Sequence, residues 1–324
     1  YYFIIYFFVL LISMIHGSIY FKQTWLVLPR YIEYLVLIIY FNRHNPSIDS
    51  IFLIIRSYLT VNFIVVLLQL LGLVGEFNSV GYQSVENLSD DRPNGLTGGP
   101  WEIANISAIL FYCLLLDKKQ SIYKKYSFSL IIFFLIIVTS SRTTLVSLSV
   151  SMLIYYYLKN MKVEKFLIFF IFFLIFLFLI LYFFFIFNLT ERIDKTYLEV
   201  PNLFFNWVIN GISPYVGDLD SRLWSFVFRL EHWGIFYNQF LTNMYTICFG
   251  TGSTFIYYES TLFRILFGTG LFGFIFVVYG IRKIPIHILT LLFISGLTLD
   301  LILSFKIFTS ILLYFYLNKK LEIR

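Results

Sequence analysis

The chain has 324 residues, of which 59% are hydrophobic and 13% are charged, and it carries a formal net charge of +6. A soluble domain normally has about 25% charged residues, so this composition excludes an ordinary soluble globular protein. The two cysteines supply neither a disulfide framework nor a cysteine metal cluster. The sequence opens inside an apolar run and without methionine, so we expect the full protein to extend beyond it.

Continuous apolar segments predict an all-α polytopic membrane protein. The clearest segment is Phe166 to Phe187, which at about 1.5 Å of rise per residue crosses a hydrocarbon core of about 30 Å. The segments show no alternation of polar and apolar residues, which favours helices over a membrane β-barrel. We predict ten transmembrane helices, or more if the chain is longer, at residues 3–21, 26–41, 51–74, 101–116, 127–140, 143–158, 166–187, 261–281, 284–300 and 302–317.

The basic residues predict which connections face the cytoplasm. With ten spans, the lysine-rich connections at 117–125 and 159–165 fall on the same side as both termini, and cytoplasmic loops are enriched in Lys and Arg. The loop at 75–100 and the hairpin before Arg142 then face outward. We divide the chain into N-terminal transmembrane helices (1–187), a large outer loop containing short helices (188–260) and C-terminal transmembrane helices (261–324).

The large outer loop contains a predicted amphipathic helix over Ser221 to Phe240. Its aromatic residues Trp224, Trp233 and Tyr237 suit a helix that lies at the membrane interface. Upstream, the DLD stretch at 218–220 has the spacing of a metal-binding acidic pair, but a solvated loop is the simpler interpretation. We predict no metal site.

Several arginines gather on the predicted outer side. Arg92 lies in the turn-forming stretch RPNGLTGGP, Arg142 follows two serines, and Arg30 lies at the start of the second span. Arg222 and Arg229 are seven residues apart, so one helix would present both on the same face. A guanidinium group binds phosphate oxygens through two parallel hydrogen bonds and keeps its charge, so the set predicts an anionic, phosphate-bearing ligand.

These arginines also have simpler interpretations. Arg30 could form a structural ion pair with Glu33 at helical spacing. Arg229 could pair with Glu231 or with lipid head groups. Arg142 could extend toward lipid phosphates.

Glu259 stands where the large loop re-enters the membrane, which makes it a candidate general base. The alternative is an acidic residue at a helix start, which the helix dipole favours. Glycines at 268, 270 and 273 would let the following helix pack closely against its neighbours.

The order of these segments resembles the O-antigen polymerase and ligase superfamily of bacterial membrane glycosyltransferases. The matching pieces are RPNGLTGGPWEIANISA, TSSRTTL, and a large outer loop with SRLWSF that ends in FGTG, followed by ESTLFRILFGTGLFG. The stretch PRYIEYLVLIIYF is similar to the polymerase branch, so the match extends from Pro29 to Gly273. Ligases usually carry HN where this chain has Glu259 and Ser260, which favours a polymerase.

The resemblance implies a GT-C-like helical fold in the bacterial inner membrane, with the active site facing the periplasm. It implies a polymerase that joins undecaprenyl-diphosphate-linked oligosaccharide repeat units in O-antigen (lipopolysaccharide) biosynthesis, without a metal or cofactor. The bilayer and a chain-length regulator are the other implied partners, and no nucleic acid is expected. The implied roles are diphosphate binding by Arg92, Arg142 and Arg222 with Arg229 and Arg30 nearby, proton acceptance by Glu259 with Glu231 and His232 in reserve, and sugar stacking by Trp224, Trp233 and Tyr237.

Two alternative functions stay open. A ligase of the same superfamily would transfer the finished polysaccharide to another lipid or to a protein. A flippase or transporter would place polar groups near the bilayer midplane, where His16 and His287 are the deep candidates in this sequence.

Overall fold

The computed structural model describes residues 2–21, 28–75, 77–78, 81–82, 93–158, 224–252, 260–282, 284–299, 301 and 304–322. Over these residues the chain is helical, apart from a short antiparallel pair of Phe77–Asn78 (β1) with Gly81–Tyr82 (β2). The predicted all-α class is therefore confirmed. The helices are α1 (Tyr2–Phe21), α2 (Leu28–His44), α3 (Ile48–Leu70), α4 (Pro100–Leu116), α5 (Ile122–Val138), α6 (Arg142–Leu158), α7 (Trp224–Phe240), α8 (Met244–Phe249), α9 (Thr261–Ile281), α10 (Ile286–Thr298) and α11 (Phe305–Glu322).

Two of these helices are long and apolar enough to cross a membrane, at Ile48–Leu70 and Thr261–Gly280. Only 33% and 39% of their most apolar windows are buried, whereas the core helix of a soluble protein would be mostly buried. Shorter apolar helices lie within α1, α4 and α10. The predicted number of ten spans is thus not confirmed, and the predicted span at 166–187 lies outside the described residues.

The ends of α3 have identifiable local causes. Ser47 is the N-cap and its hydroxyl accepts a hydrogen bond from the Ser50 amide at 3.1 Å. At the other end, Gly72 adopts a left-handed φ of 66°, and its amide donates to the Gln69 carbonyl at 3.0 Å. The Leu73 amide donates to the Leu68 carbonyl at 2.9 Å, which completes a Schellman motif and ends the helix.

The chain forms two compact units, one of residues 1–26 with 154–283 (unit 1) and one of residues 27–153 with 284–324 (unit 2). The two units are defined by contacts between packed segments. They therefore do not test the predicted division of the chain after residues 187 and 260.

Unit 2 is a helical bundle around α4, whose residues from Glu102 to Leu114 are all buried. Contacts between turns define its two ends. At one end the Tyr316 hydroxyl of α11 donates to Asn45 at 2.7 Å, and Lys119 lies 3.1 Å from Asp49. We call this the lysine end. At the opposite end, which we call the glycine end, the 93–99 turn meets the start of α11.

Unit 1 contains α1, α7, α8 and α9. Its aromatic side chains join α7 to α9: the Trp233 and Phe263 ring centroids are 4.6 Å apart, and those of Phe240 and Phe267 are 5.4 Å apart. The α9 helix is broken at Gly270, where φ is 67° and ψ is −172°. The sequence predicted one span at 261–281 and gave no sign of this break.

Candidate functional site

The turn at residues 93–99 is held at the glycine end by two buried side chains of α3. The Gly95 amide donates to the Gln69 side-chain oxygen at 2.8 Å, and the Leu96 amide donates to the Asn62 side-chain oxygen at 2.9 Å. Gln69 also donates to the Asn94 side chain at 3.0 Å. Because these polar side chains are satisfied and buried, the turn presents a fixed backbone at the end of the bundle.

Glu102 of α4 completes this arrangement, and it was not among the sequence candidates. Its buried carboxylate accepts hydrogen bonds from the Gly98 amide at 2.7 Å and from the Ser304 hydroxyl. Lys306 lies 4.0 Å from the same carboxylate and donates to the Leu96 carbonyl at 2.7 Å. The signal in the sequence was a carboxylate in the first turn of an otherwise apolar helix.

We expect Glu102→Leu to destabilise the protein markedly and Glu102→Gln to be better tolerated. Leucine leaves the buried Ser304 hydroxyl without its acceptor, which costs about 1–3 kcal/mol, whereas glutamine still offers an oxygen to Gly98 and an amide to Ser304. The measurement is the thermal unfolding midpoint of the purified protein in detergent.

The matched control for that prediction is Glu33→Gln. Glu33 pairs with Arg30 at the surface, with 48% of its side chain exposed, and such pairs contribute about 0–1 kcal/mol. Equal midpoints for Glu102→Leu and Glu33→Gln would refute the role given to Glu102.

Two predicted arginines lie at the glycine end. Arg30 is paired with Glu33 at 2.7 Å, so the structural ion pair is confirmed, and its guanidinium lies 6.0 Å from the Phe305 ring. Arg142 is exposed and is the first residue of α6, after a turn in which Ser140 has a φ of 51°. Since α5 starts at the lysine end and packs on α3 and α4, the turn before Arg142 lies at the glycine end. The side chain of Lys306 is 46% exposed there.

The remaining predicted site residues divide into two groups. Trp233 is buried, which favours a packing role for its ring, whereas Tyr237 is 52% exposed. The others are not placed as side chains: Arg92, Arg222 and Glu259 lie outside the described residues, and only the backbone of Trp224 and Arg229 in α7 is described. Of the reserve bases, Glu231 is exposed and His232 is half-buried.

Unit 1 holds a second constellation, in which the two FGTG stretches at 249–252 and 267–270 pair through their backbones. The Thr251 amide donates to the Phe267 carbonyl at 2.7 Å, and the Gly252 amide donates to the Gly268 carbonyl at 3.1 Å. The Ser13 hydroxyl of α1 also donates to Gly268. The predicted close packing by glycines is confirmed here, and the repeated FGTG in the sequence was the signal for the pairing.

The buried side chains of unit 1 include those of Arg264 and His16, which carry polar or charged groups. Arg264 is 1% exposed, one turn after the N-cap residue Ser260 of α9, and it was not among the sequence candidates. The His16 ring lies 3.2 Å from the Thr246 hydroxyl. In unit 2 the His287 ring lies 3.1 Å from the Tyr314 hydroxyl. Both predicted deep histidines therefore have partners.

Within the described part of the chain, no group of three or more His, Cys, Asp or Glu side chains is placed to hold a metal ion. The chain matches no protein-family model, no curated protein and no solved structure, so its function is argued from its residues and their geometry.

Proposed function

We propose that the chain is a membrane glycosyltransferase that polymerises polyprenyl-diphosphate-linked oligosaccharide repeat units, as in O-antigen synthesis, at the periplasmic face of the bacterial inner membrane. The protein would cross the membrane with about ten helices in a GT-C-like arrangement. It would act without a resident metal or cofactor.

The observation that carries the proposal is the gathering of Arg30, Arg142 and Lys306 at the glycine end of unit 2. All three have exposed side chains at this end of the unit, and Lys306 contacts the fixed 93–99 turn through the Leu96 carbonyl. Phosphate oxygens are favourable partners for guanidinium groups, and a diphosphate offers oxygens to more than one of them. If the lysine end is cytoplasmic, as the positive-inside preference indicates, this cationic end faces the compartment in which the polymerase would join lipid-linked repeat units.

The reaction needs two contributions from the protein. An acceptor hydroxyl oxygen forms a bond to the anomeric carbon of the donor, and the bond from that carbon to the diphosphate breaks. The diphosphate leaves with the electron pair, and Arg92, Arg142 and Arg222 would stabilise its charge. Glu259, directly before the α9 N-cap residue, would take the hydroxyl proton.

The remaining candidates have supporting roles in this scheme. Tyr237 keeps an exposed ring that a sugar could contact, whereas Trp233 supports α7 against Phe263. Arg30 would extend the cationic surface of the glycine end, where Glu33 already holds it. Arg229 of α7 would contribute a further charge to diphosphate binding.

Deletion of the gene tests this function in cells. Loss of a polymerase leaves single repeat units on the final acceptor, whereas loss of a ligase leaves long chains on the carrier lipid. Loss of a flippase stops display of any repeat unit on the outer surface. The proposal is supported only if deletion leaves single repeat units on the final acceptor and the unmodified gene restores long chains.

Transport is the second candidate function because α9 is broken inside the membrane-spanning candidate helix. Discontinuous helices expose backbone groups at depth, and many transporters bind their substrates there. In unit 1, however, the Phe267 and Gly268 carbonyls just before the break already accept hydrogen bonds from the Thr251 and Gly252 amides. This pairing favours a structural break over an empty substrate site.

A further inference from the structure

A polar cleft lies at the lysine end of unit 2, opposite the proposed active site. Its volume is about 400 Å³, and it opens between the start of α3 and the turn that joins α4 to α5. The lining residues are Asp49, Phe52, Arg56, Asp117, Lys119, Gln120, Ser121 and Lys124.

Two lining side chains carry unsatisfied polar atoms. The side-chain nitrogen and oxygen of Gln120 and the Nε of Arg56 are buried, and no hydrogen-bond partner for them lies within the described part of the chain. Buried polar atoms are almost always paired. The Gln120 nitrogen and Arg56 Nε are donors in side chains that line the cleft. A small rotation of either side chain would bring its donor to a ligand oxygen, whereas the Gln120 oxygen would need a donor.

The charge of this region favours an anion. Arg56 is paired with the buried Asp117, and Lys119 lies 3.1 Å from Asp49. These pairs neutralise both carboxylates of the cleft. Further lysines of the same turn and of the first turn of α5 add positive charge that no carboxylate within the described ranges pairs with, at Lys118, Lys124 and Lys125.

The start of α5 adds two features that suit a phosphate group at a membrane surface. Ser121 is the N-cap but makes no side-chain capping hydrogen bond, so the first amides of α5 are free to face an anion. Tyr123 is 82% exposed and Tyr126 is 65% exposed, and tyrosines beside lysines are typical of the membrane–water interface.

We infer that this cleft binds a phosphate group, supplied either by the head group of an anionic phospholipid or by a soluble phosphate. The Arg56 guanidinium and the Gln120 amide would contact its oxygens, and Lys124 would provide the attracting charge. This inference is independent of the proposed polymerase activity, because the cleft lies at the other end of unit 2.

The test is a binding titration on the purified full chain in detergent, measured by native mass spectrometry. Phosphatidylglycerol and diacylglycerol with identical acyl chains are the two lipid probes, because diacylglycerol lacks the phosphate group. We expect phosphatidylglycerol to bind at least fivefold more tightly, and we expect Gln120→Leu and Lys124→Gln each to weaken it at least fivefold. Lys319→Gln is the matched control, since it removes an exposed lysine at the same end, and it should change affinity less than twofold.

A second arm identifies the source of the phosphate. Displacement of phosphatidylglycerol by millimolar inorganic phosphate supports a soluble ligand, and failure of that displacement supports the lipid head group. Equal affinity for the two lipids with no effect of phosphate overturns the inference. So does an effect of Lys319→Gln as large as that of Lys124→Gln. Gel filtration checks the fold of each variant, and the exposed Lys124 decides the test if Gln120→Leu does not fold.

Discussion

Replacement of Gly270 by alanine is expected to lower the stability of the protein by about 2–6 kcal/mol. The backbone at Gly270, with φ of 67° and ψ of −172°, lies in a region that is essentially restricted to glycine. An added Cβ would also lie 2.3 Å from the Cys248 carbonyl oxygen and 2.5 Å from the Gly250 amide nitrogen. Strain and overpacking of this kind each cost about 1–3 kcal/mol.

Gly72→Ala is the matched control for this prediction. Gly72 has nearly the same φ of 66°, but no atom lies within 4 Å of a Cβ added there. The Gly72→Ala variant should therefore lose only about 1–2 kcal/mol of stability, which is the cost of a left-handed backbone at a residue other than glycine. Thermal unfolding in detergent measures both variants, and we expect Gly270→Ala to melt several degrees below Gly72→Ala. Equal midpoints would mean that the FGTG pairing does not hold unit 1 together.

Replacement of Arg142 by alanine is expected to reduce the rate of polymerisation by about 10²–10³-fold, the usual effect of removing one group that stabilises developing charge. Arg142→Lys should recover only part of this loss, because an ammonium group lacks the bidentate geometry of a guanidinium. The measurement is the initial rate of chain extension with a lipid-diphosphate-linked repeat unit.

Arg282→Ala is the control for Arg142. Arg282 is also exposed, and it stacks on the Tyr279 ring at 3.4 Å in the part of the chain that we predict to face the cytoplasm. The Arg282→Ala variant should extend chains at the normal rate. If Arg142→Ala extends chains at the normal rate, lipid phosphates rather than the substrate are the partner of this arginine.

The helices themselves could be predicted from the sequence, because long apolar runs separated by polar segments are compatible with few secondary structures other than helices. Helix ends were less predictable: α5 starts at Ile122 and not at 127, since a lysine-containing turn of helix extends beyond the apolar segment. The break at Gly270 was missed because glycine in an apolar run is equally compatible with a straight helix. Its cause is the approach of residues 248–252, which precede the helix in the sequence and fold back against residues 267–270.

The candidate site was predicted only in part. Loop positions alone predict that Arg30 and Arg142 lie at the same end of the helices, and both lie at the glycine end of unit 2. The support from Gln69 and Asn62 was not visible, because these side chains bond to a turn 26 and 34 residues away. For Glu102 only a carboxylate in an apolar helix was visible, and its partner Ser304 lies just before α11. Such partners follow from three-dimensional packing and leave no local pattern.

The measurement that tests the central claim most directly uses purified protein in detergent, a polyprenyl-diphosphate-linked repeat unit and EDTA, with products separated on a gel. We predict a ladder of lengthening chains that persists in EDTA and disappears in the Glu259→Gln variant. Absence of a ladder from intact, monodisperse protein supplied with the correct repeat unit would contradict the proposed polymerase activity.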